Sequence, residues 1–170
     1  MGFRVAGIPG SLAAEVRRTL RSPQYGHPAY RETATGYGPC RLCLRTFTEG
    51  VEERILFTYQ PFSDPGSVPA PGPVFIHASP CERYEARVFP PDFRRLPLLL
   101  EAYKVGGELL GRERVRDQSP EAVLERLFAA TGAAYVHVRN EEAGCFMARV
   151  DRSVTRADRR GSGCRQGPRR

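Results

Sequence analysis

The sequence predicts an α+β fold: one domain built on a largely antiparallel sheet of about six strands, with two main helices. Three observations point there. Short runs of alternating apolar residues recur along the chain, most of them are joined by tight Gly-bearing turns, and two windows carry a helical stripe instead. At 170 residues, with 41% hydrophobic and 26% charged side chains, the chain is long enough for one core and short for two.

The elements follow in chain order. Phe3–Ile8 alternates as a strand, and Leu12, Val16 and Leu20 recur every four residues behind Ser11, a candidate N-cap. Residues 22–39, rich in Pro, Gly and Tyr, read as a loop. Arg54–Gln60 sets Ile55, Phe57 and Tyr59 on one face of a strand, and five prolines between Pro61 and Pro73 leave a surface loop. Pro73–Ala78 is a short apolar strand. Leu98–Tyr103 and Glu108–Val115 flank Gly106-Gly107 as a hairpin. Ser119, Pro120 and Glu121 open a helix with Val123, Leu124, Leu127 and Phe128 on its apolar face, and Gly132 ends it. Ala134–Asn140 and Cys145–Val150 form a last hairpin. Residues 1–152 are thus expected to make the domain.

The formal net charge of +7 divides unevenly. Residues 151–170 hold seven Arg against Asp151 and Asp158, while residues 1–150 carry only +2. The basic segment 153–170 has almost no apolar area to offset ordering entropy and is expected to be disordered. Such an arm can bind phosphates, but it lacks aromatics on which bases could stack, so nucleic acid is not the expected partner. No window approaches the ~18 apolar residues of a membrane span, and the first ten residues carry no sustained apolar stretch of a secretory signal. A cytoplasmic setting follows as the expectation. There is no Gly-rich phosphate loop, no H-E-x-x-H and no G-x-S-x-G.

Chemistry concentrates on the cysteines, five in number. Cys40-x2-Cys43 followed by His77-x3-Cys81 supplies three thiolates and an imidazole, a donor set for tetrahedral zinc. Against it, Arg41–Phe47 alternates like a strand, on which residues three apart face opposite ways, and zinc would need a turn at Arg41-Leu42. A packed, inert thiol is the commoner fate of a cysteine. A thioredoxin-like role for Cys40-Arg-Leu-Cys43 would need a helix after it, and none is predicted. Cys145 follows Gly144 at the mouth of the last hairpin, opposite Asn140, where a thiol nucleophile would still need a base. His137 is expected to face away from Asn140 as a half-exposed strand residue. Arg41 and Arg149 are candidate anion ligands, because a guanidinium offers a fork to carboxylate or phosphate.

Gly38-Pro-Cys-Arg41, Gly72-Pro-Val-Phe-Ile-His77 and Arg139-Asn-Glu-Glu-Ala-Gly-Cys145 with Arg149-Val-Asp-Arg152 resemble a bacterial family catalogued as domain of unknown function 1203. The resemblance covers roughly residues 1–152 and lends no activity. It implies that Pro39, Cys40, Arg41, Asn140, Gly144 and Cys145 belong to the family's own motifs. Some relatives lack a thiol at the position of Cys43 and a histidine at that of His77, so a zinc site would belong to a subgroup. The leading expectation is therefore one cysteine-centred site, Cys40 and Cys145 with Arg41, Asn140 and Arg149, for thiol chemistry or a small anionic ligand and with no cofactor. The alternatives are a zinc-binding domain on Cys40, Cys43, His77 and Cys81, and an interaction module working through the basic tail.

Overall fold

The computed structural model describes residues 2–36, 38–62 and 71–153. Most of the proline-rich stretch and the basic segment from residue 154 lie outside the described residues.

Two antiparallel sheets make the domain. The larger has six strands in the order β5-β1-β9-β8-β6-β7. Its members are β1 (Gly2–Ala6), β5 (Glu85–Ala86), β6 (Leu98–Tyr103), β7 (Leu109–Val115), β8 (Tyr135–Asn140) and β9 (Phe146–Ser153). The smaller has three in the order β2-β3-β4: β2 (Tyr30–Thr33), β3 (Glu53–Tyr59) and β4 (Gly72–His77). The predicted α+β class holds, with the strands shared between two sheets.

Helix α2 (Pro120–Thr131) forms where the sequence places it. The Ser119 side chain accepts from the Ala122 N–H, and Gly132 closes the helix at φ 65°, a left-handed conformation that glycine adopts without a Cβ clash. Its buried Val123, Leu124, Leu127 and Phe128 pack on one face of the large sheet, against Leu98, Leu100, Val136, Val138, Ala148 and Val150. Helix α1 (Gly10–Thr19) starts earlier than expected. Pro9 is its N-cap residue and makes no side-chain cap bond, so Ser11 lies inside the helix and caps nothing. Leu20, expected on the apolar stripe, instead ends α1 in the left-handed region and is exposed.

Alternating residues divide the large sheet cleanly. With Leu100, Val136 and Val150 under α2, the opposite face carries Glu101 and Tyr103 from β6, Tyr135, His137 and Arg139 from β8, and Arg149 from β9. A second core joins α1 to the small sheet through Ala13, Val16, Ile55, Phe57, Val74 and Ile76, and it takes in Cys40, Cys43 and Phe146. Pro73 is tolerated because β4 is an edge strand, where a missing N–H breaks no inner ladder.

Two stretches differ from expectation. Tyr30–Thr33 lies in the predicted loop but pairs with β3, register Arg31 to Ile55; all four residues are exposed, which leaves no alternation to read. The segment 41–47 is no strand. Residues 41–43 form a turn, Leu44 N–H donates to Cys40 O at 2.9 Å, and Leu44 takes φ 59°. This turn docks on the chain after β1, where Ile8 N–H donates to Arg41 O at 2.9 Å. A Cβ at Gly7 would stand 2.1 Å from Leu42 O, so only glycine permits the approach.

Candidate metal centre and the cysteine at the last hairpin

The turn at 41–43 removes the geometric objection to a shared ion. By reversing the chain between Cys40 and Cys43 it brings both sulfurs to one side, and the end of β4 with the following loop adds His77 and Cys81. One ligand atom from each of the four residues lies within 4.8 Å of every other. The Cys40 and Cys81 sulfurs are 3.8 Å apart, and Cys43 Sγ is 3.4 Å from His77 Nδ1. Tetrahedral zinc with bonds of about 2.3 Å to sulfur has sulfur–sulfur edges of about 3.8 Å. A disulfide would need about 2.05 Å, so the thiols are free and spaced as ligands are.

Hydrogen-bond donors converge on the sulfurs. His77 N–H points to Cys40 Sγ at 3.4 Å, and backbone N–H groups of Cys43 and Arg45 act on Cys40 and Cys43 respectively. Arg17 of α1 donates through Nη2 to Cys81 Sγ at 3.3 Å and through Nε to His77 O at 3.0 Å. Three thiols crowded together cannot all ionise without a cation. Hydrogen bonds from Cys40 and Cys81 hold the Cys43 thiol far below its ordinary value, whereas the bond to Cys43, that to Cys81 and burial push Cys40 far above its own. The Cys43 hydrogen bond, then that of Cys81, raises His77 to about 9. Its other nitrogen, Nε2, faces Glu52 Oε1 at 3.4 Å, and Glu52 is itself fixed by the Thr48 N–H at 2.6 Å. A carboxylate behind a histidine orients the ring and selects the ligating nitrogen. Neither Arg17 nor Glu52 was legible in the sequence, because neither sits near the cysteine motif in the chain.

Arg41 is buried and donates from Nε to Phe146 O at 2.6 Å and from Nη1 to Pro39 O. Burial pushes it down to about 10, and the Cys145 and Cys40 sulfurs oppose that fall. Among the described residues no carboxylate pairs with it. Arg41 thus ties the Cys40–Cys43 turn to the start of β9, beside Cys145.

Cys145 itself is half-buried, its Sγ 3.6 Å from Ala143 O. Asn140 stands across the hairpin, its N–H donating to Cys145 O at 3.0 Å. The Asn140 side chain serves its own turn, accepting from Glu142 and Ala143 N–H at 3.0 and 2.7 Å. Arg149 pairs with Asp151 at 2.8 Å and lies 3.9 Å over the Tyr135 ring. His137 is fully buried where the sequence suggested half-exposure. Phe62, Tyr103, Tyr135 and Phe146 lie within about 5.1 Å of its ring. Desolvation, then Arg139 and Arg149, pushes it down to about 2, so it is a neutral core imidazole.

Among known families, the model for a protein of unknown function (DUF1203) matches residues 37–152. No curated protein and no solved structure matches the chain.

Proposed function

As a member of the DUF1203 family the chain inherits no chemistry, so from its own geometry we propose that it is a zinc-binding domain held by Cys40, Cys43, His77 and Cys81. The observation that carries this reading is the mutual approach of four donor atoms within 4.8 Å, with edges of 3.8 and 3.4 Å where a zinc tetrahedron has about 3.8 Å between sulfurs. Three sulfurs and one imidazole suit zinc, and four protein ligands leave no open position, so the ion is structural. A single ion fits this compact set; a two-iron cluster would draw the ligand pairs apart.

The charge balance supports the same reading. Zinc with three thiolates and a neutral histidine carries one net negative charge, and the cation Arg41 lies buried nearby with no carboxylate of its own among the described residues. Zinc would fasten the Cys40–Arg45 turn to the end of β4 and the Cys81 loop, adding to the bonds from Arg41 N–H to Phe75 O at 2.8 Å and from Tyr84 N–H to Leu42 O at 2.9 Å. A reducing, cytoplasmic setting suits the reading, since the thiols must stay reduced to bind.

Elemental analysis of protein purified without chelator tests it. One zinc per chain is expected, falling below a tenth of that in a Cys40→Ser/Cys43→Ser double variant. Metal-free protein that takes up no zinc on reconstitution, or a double variant that keeps its metal, contradicts it. A second reading, small-anion or thiol chemistry at Cys145, has its own supporting observation in a buried arginine beside that thiol.

A further inference from the structure

A cavity of about 250 Å3 opens between the β8–β9 turn and the facing ends of β3 and β4. Tyr59, Pro61, Val74 and Phe146 give it apolar walls, and Cys145 and Arg139 are its reactive and charged members. Arg139 is 4% exposed. Its Nε donates to Glu101 Oε2 at 2.6 Å and its Nη1 to Gly144 O at 2.9 Å. Its Nη2 is buried and has no partner among the described residues. A buried guanidinium nitrogen left without an acceptor is costly, and the commonest way to satisfy it is an anionic oxygen.

Glu101 is held in turn by the Tyr103 hydroxyl at 2.6 Å, so the Arg139 guanidinium is fixed on two sides with its third edge unused. Such fixing lowers the entropic cost of binding. Glu101 already balances the charge of Arg139, and Arg41, behind Phe146, lies between the Cys145 thiol and Cys40 of the metal centre, so the cavity has at most one positive charge to spare. That suits one negative charge and disfavours a dianion. The apolar walls suit a short hydrocarbon body.

We propose that this cavity is a binding site for a small monocarboxylate, its carboxylate accepting from the Arg139 guanidinium and its carbon body lying beside the Cys145 thiol. The site shares no residue with the metal centre. It differs from the cluster the sequence suggested: Asn140 and Arg149 are engaged elsewhere, and Arg139 takes the role of anion ligand.

Alkylation of the native, full-length protein tests the proposal, with the label located by peptide mass spectrometry. Iodoacetate carries a carboxylate and iodoacetamide does not. In both, the Cys145 sulfur displaces iodide from carbon, a C–S bond replaces the C–I bond, and the thiol proton passes to solvent. Relative to glutathione, Cys145 should favour iodoacetate about tenfold, as a hydrogen bond to a charged group implies. The rate should saturate with iodoacetate, and propionate should slow it more than inorganic phosphate does. A ratio equal to that of glutathione, or no protection by propionate, overturns the proposal, and stronger protection by phosphate overturns the carboxylate assignment. A folded Arg139→Gln/Glu101→Gln variant should lose the preference; if it keeps it, the field of Arg41 is responsible and the proposal fails. Should that variant not fold, propionate protection of the unmodified chain decides.

Discussion

His77 and His137 are buried to nearly the same degree, 6% and 1% exposed, yet they lie on opposite sides of the ordinary histidine value. His77 meets sulfur: Cys43 and Cys81 face it and raise it to about 9. His137 meets rings and cations: desolvation, Arg139 and Arg149 push it down to about 2. Burial alone therefore says little about what a histidine does. The atoms facing its nitrogens separate a candidate ligand from a core side chain.

The comparison extends to the polar groups around each ring. Around His77 the groups are thiols converging on one point, and a cation at that point would satisfy all of them. Beside His137 the polar groups are Glu101 and Arg139, 2.6 Å apart and both largely buried, which satisfy each other without an ion. The first arrangement depends on something added; in the second the ion pair is matched internally, while one nitrogen of Arg139 and both ring nitrogens of His137 are buried without a hydrogen-bond partner among the described residues.

The largest expected effect breaks the metal side. Chelating the metal should lower the thermal midpoint of the unmodified chain sharply, because metal affinity in such sites is folding free energy of several kcal/mol or more. The same chelator should leave a Cys40→Ser/Cys43→Ser variant unmoved. A common shift in both would mean that the chelator acts elsewhere. Next comes the ion pair. Glu101→Gln leaves Arg139 buried without its counter-charge and should cost about 3–5 kcal/mol in urea unfolding, while zinc content stays at one per chain. Loss of zinc in that variant would show that the two regions are not independent.

These contrasts also mark what the sequence could tell. Helix α2 and the two late hairpins were readable because their signals are local: Ser119 and Pro120 before an apolar stripe, Gly132 after it, Gly106-Gly107 between alternating runs. The four candidate donors are readable as a set, but the chain between two of them has the pattern of a strand and forms a turn. Leu42, Leu44 and the residues around them alternate as a strand does, and what turns them is tertiary: Gly7, more than thirty positions upstream, lets the Arg41 and Leu42 carbonyls come close. Strand β2 was missed because all its side chains face solvent. Arg139 stands in the motif that carries the family resemblance but has no role legible there, because its partner Glu101 lies 38 residues away and nothing local signals that its guanidinium is buried.

Smaller effects sharpen the comparison. Glu52→Gln weakens the group behind His77 Nε2 and should reduce zinc affinity about 10–100-fold in competition with a chromophoric chelator, without changing stoichiometry. His137 gives a pH signature of its own. Its folded value lies far below its unfolded one, so the unfolded chain binds the extra proton and stability falls as pH drops below about 6.5, by about 1.4 kcal/mol for each unit. His137→Phe should flatten the stability profile by that slope between pH 6 and 4. An unchanged slope would mean that His137 is already protonated in the fold.

X-ray absorption at the zinc edge of the purified, full-length protein tests the central claim most directly. Three sulfur scatterers at about 2.3 Å and one nitrogen at about 2.0 Å are predicted. A first shell of oxygen and nitrogen alone, as from zinc held loosely at the surface, would contradict the assignment of Cys40, Cys43, His77 and Cys81 as its ligands.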